Sequence, residues 1–328
     1  MIKKITAVFI VSFMLCGGAA YAALQGQTPY KPPSEKQFRE LKKIFPDFSA
    51  KDIEKSINLS KNPEKIDLIN NILVFLQYKQ LVKQIKKLPP IFLIYSENNQ
   101  ILDYKGGLYF DNGNIILLNA NMLMENGPQR DELPKHIQAA VDFVVFSAIL
   151  SHELMHYEDF LNVNDIEKMD SSALSELNAY KRSEKTVDYF IKMPEAEADE
   201  LIPIPYFYKS IQMGTEYFTD MRKNYIKSAQ AADIFLNNES KIRKTFAIDK
   251  EMFKMISFLP HLQFNAKNGG HIIKFESDLF NFPQKLKFSI NILTETLDIL
   301  NTPKEIAAIK EQAKNVKILD KYSYLMIR

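Results

Sequence analysis

The sequence predicts an α+β fold, predominantly α-helical, with one small antiparallel sheet packed on a long buried helix. Three observations predict it. Apolar residues recur at helical spacing along most of the 328-residue chain, and its ten glycines are few for that length. One stretch, 91–118, turns β-branched and aromatic instead and carries an Asp111-Asn112-Gly113 hairpin signal. Between Ala139 and Leu150 the chain is apolar on nearly every side, as a helix enclosed by protein must be.

The N-terminus comes first. Lys3 and Lys4 precede an apolar run from Ile5 to Cys16, which is too short to span a bilayer, and Ala20-Tyr21-Ala22 fits a small-x-small cleavage rule. Residues 1–22 therefore read as a secretory signal peptide, and the protein as exported, periplasmic or extracellular. Removing the signal removes the only cysteine, so no disulfide or thiolate chemistry is expected. It also takes away two lysines and no acid, bringing the formal net charge from +2 to zero. A neutral chain has no field to attract nucleic acid or an anionic membrane, and no membrane span is expected after the signal.

Residues 23–35 are polar and proline-bearing and read as a linker. An N-terminal helical segment follows over 36–88. It comprises a short helix at QFRELKKIF, a second capped by Ser49, and a third beginning at Pro63 and running to Leu88-Pro89-Pro90. IFLIYSE, 91–97, reads as a strand, with two more in the stretch that ends near Leu118. After the Asn126-Gly127-Pro128 loop, 134–158 reads as one long helix. The remainder is expected to be helical, with 206–328 as a C-terminal helical region.

That long helix ends in His152-Glu153-Leu154-Met155-His156. Four residues are about one helical turn, so both imidazoles lie on one face and can meet one ion. Neutral imidazole suits zinc, which lowers the pKa of bound water to about 7. Glu153 points to a neighbouring side, where it can accept a proton from that water rather than bind the metal. Catalytic zinc usually takes three protein ligands. The third is sought in Met193-Pro194-Glu195-Ala196-Glu197-Ala198-Asp199, where Glu195 and Asp199 share a face. Glu195 is assigned as ligand, Asp199 as hydrogen-bond partner of a ligand histidine, and Glu197 as reserve ligand. Acyl transfer to water also needs an oxyanion donor. His271, after Gly269-Gly270, is the candidate, with His261 and several tyrosines as alternatives. His136, over four turns before the motif, is expected to be structural.

HELMH followed by EAEAD resembles the gluzincin zinc metallopeptidases, whose pattern is His-Glu-x-x-His and then Glu-x-x-x-Asp on a later helix. The second element is similar to that of HtpX-like and ImmA/IrrE-like peptidases. The resemblance spans roughly residues 90–205 and implies a zincin-like core over 89–205. It also implies zinc on His152, His156 and Glu195, Glu153 as general base, and a strand that pairs with extended peptide or protein substrate, for which 114–118 is the candidate. A second class of function stands beside it. The chain could be a non-catalytic helical envelope protein whose structural or vestigial metal site accompanies a protein-binding role.

Overall fold

The computed structural model describes residues 30–83, 88–97, 102, 105–110, 114–127, 132–161, 172–254, 263–265, 272–277 and 285–315. The fold is α+β and predominantly helical, as expected. The signal region and the 111–113 turn lie outside the described residues.

Three helices open the described chain. Helix α1, Glu35–Ile44, starts with a capping box in which the Ser34 hydroxyl accepts from the Gln37 N–H and the Gln37 side chain returns to the Ser34 backbone. Helix α2, Ala50–Lys61, is capped by Ser49 as expected. Helix α3, Pro63–Tyr78, has proline in its first turn and Asn62 as cap. It ends ten residues before the expected stop at Leu88. Gln80 takes a left-handed backbone (φ 53°), and the N–H groups of Leu81 and Val82 fold back onto the Leu76 carbonyl. Leu81 and Val82 are then buried rather than carried on a solvated helix face. The expected linker also differs at its end: Tyr30 is buried, and its N–H donates to the Asn70 side chain.

The first sheet is built from β1 (Ile91–Ile94), β2 (Gly107–Phe110) and β3 (Ile115–Asn119), in the order β1-β3-β2. It is mixed, not wholly antiparallel: β1 runs parallel to β3, while β2 runs antiparallel to it with Tyr109 opposite Ile116. The chain leaves β1 through a connection long enough to return in the same direction, which a hairpin signal at 111–113 does not reveal. All of β1 and β3 is buried. Phe92 of β1 meets Phe38 of α1 edge-on at 5.0 Å, and the Ser56 hydroxyl of α2 bonds both the N–H and the carbonyl of Tyr95.

Helix α4, Lys135–Leu161, follows two short 3-10 turns. It is as long and apolar as a membrane-crossing helix, but the protein itself encloses most of it. Phe143, Val144, Phe146, Ala148, Leu150 and Leu154 are all buried. Helix α5, Ser172–Lys192, comes next, then α6 (Glu195–Leu201), α7 (Phe207–Met213) and α8 (Thr215–Asn237). Helices α9 (Glu239–Phe246) and α10 (Lys250–Lys254) lead into a second sheet of β4 (Gln263–Asn265), β5 (Ile272–Ser277), β6 (Leu286–Asn291) and β7 (Thr296–Ile299). Helix α11, Pro303–Asn315, closes the described chain. The second sheet is antiparallel in the order β4-β5-β6-β7. The expected helical region at 206–328 therefore contains four strands. Its signal is the alternation in β6, where Leu286, Phe288 and Ile290 are fully buried and the residues between them are half-buried.

The chain divides into two compact units, one of 1–157 with 185–221 and one of 158–184 with 222–328. The helices of 36–88 lie in the first of these units, with the first sheet and most of α4. The aromatic packing explains it: Phe75 of α3 stacks on Phe190 of α5 at 4.8 Å and meets Phe143 of α4 at 5.9 Å.

Candidate metal centre

His152 and His156 stand on consecutive turns of α4, half-buried, with ring centroids 4.8 Å apart. Helix direction decides what reaches them. The Thr186 hydroxyl of α5 donates to the Ser151 hydroxyl of α4 (3.1 Å), the Arg182 guanidinium grips the Glu158 carboxylate with two bonds (2.8 and 2.9 Å), and the Ser175 hydroxyl donates to Asp159. Residue numbers rise on one helix as they fall on the other, so α4 and α5 pack antiparallel.

Among the described residues, one group of three metal-capable side chains comes together: His152, His156 and Glu176. One ligand atom from each lies within 4.8 Å of the others, and all three side chains are half-buried. Donors about 2.1 Å from a tetrahedral ion stand about 3.4 Å apart, so closing the set needs side-chain shifts of about an ångström. Two imidazoles and a carboxylate are a donor set that zinc accepts while keeping a fourth position open.

Glu195, expected as the third ligand, is not in this group. The reason is the direction of α5. Its last turns run back toward the start of α4, so that Phe190 meets Phe143 at 5.9 Å. The chain that follows stays there: Phe207 meets Phe143 at 5.7 Å and Tyr206 meets His136 at 5.6 Å. Glu195 and Asp199 are exposed on α6. Glu197, the reserve ligand, is tied to Lys79 and to the Tyr189 hydroxyl. Burial pushes the Glu197 carboxyl up, and the bonds from Lys79 and Tyr189 outweigh it, holding it below the usual carboxylate range. EAEAD is thus a staple for the far end of the bundle. His136 packs on the Tyr206 ring. His271 and His261 lie outside the described residues.

Glu153 faces a different neighbour. Ile149, Glu153 and Tyr157 are spaced by four and form one stripe of α4 beneath β2. The Glu153 carboxylate, 5% exposed, accepts the main-chain N–H of Tyr109 at 2.6 Å. The Tyr109 ring meets Tyr157 edge-on at 5.9 Å, and its hydroxyl donates to Asn114. Burial pushes the Tyr157 hydroxyl pKa up. The two imidazoles thus share a metal-capable group with Glu176, and the glutamate between them in sequence faces the sheet.

No protein-family model, no curated protein and no solved structure matches this chain.

Two features of the centre lay outside the sequence reading. Glu176 sits in Ser175-Glu176-Leu177-Asn178, twenty residues past His156, with no second acid beside it to draw notice. The other is Gly106-Gly107, where the strand meets α4. A strand glycine pair was the available signal for a close backbone approach.

Proposed function

We propose that the protein is an exported, zinc-dependent metallopeptidase that hydrolyses peptide bonds. One observation carries the reading: His152, His156 and Glu176 converge while Glu153, between the histidines in sequence, is held on the neighbouring face. His152, His156 and Glu176 would hold the ion, with the donor chemistry tested above. A bound zinc ion would polarise the scissile carbonyl and ease the deprotonation of water. Glu153 then accepts the proton from the attacking water and passes it to the leaving amine, so the acid and base steps balance on one carboxylate.

The strand that would receive an extended substrate changes with the topology. β3 has neighbours on both sides, so 114–118 cannot add another strand. β2 is the edge next to Glu153, where the outward N–H of Tyr109 is already given to that carboxylate, so a peptide lying there would not pair through Tyr109.

The test is metal analysis of the purified mature protein together with cleavage of an unstructured protein such as casein. Glu153→Gln is expected to retain zinc and lose about 10³-fold in kcat. Equal cleavage by the variant and the parent would refute the mechanism.

A further inference from the structure

We propose that the main-chain N–H of Tyr109 is a positioning group for Glu153, and that Gly106 and Gly107 are glycines because only they let β2 approach α4 closely enough to deliver it. The inference rests on the peptidase reading and adds a part to it.

The geometry is a strand laid along a helical stripe. Gly106 and Gly107 lie over Ile149, Gly107 and Tyr109 over Glu153, and the Tyr109 ring over Tyr157. A Cβ on Gly106 would stand 2.8 Å from Ile149 Cδ1. A Cβ on Gly107 would stand 2.8 Å from Ile149 Cγ2 and 2.9 Å from Glu153 Oε1. Real Cβ atoms do not come so close. Neither glycine takes a left-handed backbone, so a turn does not explain them. Gly107 opens β2 and Gly106 precedes it, and each costs backbone entropy on folding that close approach to α4 accounts for.

The approach brings the Tyr109 N–H within hydrogen-bonding distance of Glu153. In an antiparallel pair alternate residues turn their main-chain groups away from the neighbouring strand, and Tyr109 turns its N–H toward α4. A bond from an amide to a carboxylate is among the stronger hydrogen bonds and is directional. It holds Oε2 and so limits how the carboxylate can turn toward the attacking water. Tyr109 acts through Glu153 and contacts neither water nor substrate by this bond. Misplacement of a reacting group by about 1 Å is worth about 100-fold in rate.

The test replaces Tyr109 in the full chain by its α-hydroxy acid counterpart, which keeps the phenol and exchanges the N–H for an ester oxygen. Zinc content and KM are expected to stay within twofold of the parent, while kcat falls at least tenfold. Gly107→Ala, made in parallel, is expected to show the same split by displacing the strand. A parent enzyme that is active beside an ester variant of equal or higher kcat overturns the positioning role and leaves the peptidase reading standing. A parent that binds zinc and cleaves nothing overturns both. Loss of zinc from the ester variant, with kcat per bound zinc unchanged, also overturns the positioning role, because the bond would then serve the fold alone.

Discussion

The two ends of α4 meet different chemistry. At the C-terminal end His152 and His156 form one metal-capable group with Glu176, and Glu158 is held by Arg182. At the N-terminal end Phe143 lies among aromatic rings of α5 and α7, and Glu197 from the run of acids on α6 bonds Lys79 and Tyr189. The denser acidic motif is at the wrong end, and the single glutamate at the right one. Whether a carboxylate can ligate is decided by the direction in which its helix runs, and an antiparallel pair favours residues early in the second helix over residues further on.

Breaking the pairing at the histidine end carries the largest expected effect. Glu158 is 4% exposed, and Arg182 is its bidentate partner. Arg182→Met takes both of those bonds from a buried carboxylate, which costs about 3–5 kcal/mol in urea unfolding. Removing both side chains should cost less than removing Arg182 alone.

The opposite end holds a carboxyl with a weaker answer to burial. Asp142 accepts the Met124 N–H at 2.8 Å, yet burial pushes its pKa up to about 6 from 3.8. The folded value is raised, so the contribution of Asp142 to stability is greatest below about pH 4 and is lost as pH climbs through about 6, by up to about 3 kcal/mol. Asp142→Asn keeps an acceptor for Met124. It is expected to raise stability at pH 7 and to flatten the profile between pH 4 and 6. A profile unchanged by the substitution would remove Asp142 as its source.

The smallest effect belongs to the acidic motif itself. Lys79→Met frees Glu197, which is a quarter exposed, and is expected to cost about 1 kcal/mol or less. Zinc affinity should not change. A tenfold loss of zinc in this variant would blur the contrast between the two ends.

Much of the fold was legible where local chemistry decides it. Ser49 and Pro63 announce their helices by capping and by a first-turn proline, and HELMH declares two imidazoles on one face. What stayed hidden depends on contacts between distant segments. Glu176 becomes a ligand candidate only once α5 is known to run antiparallel to α4. The parallel β1–β3 pairing and the close seat of Gly106-Gly107 follow from tertiary packing. The end of α3 at Tyr78 turns on a left-handed Gln80, a conformation that glutamine does not advertise. Alternation in β6 was visible in 286–291 but lay in a stretch read as helical.

The most direct measurement is zinc affinity of Glu176→Gln and Glu195→Gln, each titrated against a chelating indicator beside the parent protein. Glu176→Gln is expected to weaken binding at least 100-fold, and Glu195→Gln to stay within twofold. The reverse order would contradict the centre described here and restore the acidic motif of α6 as the third ligand.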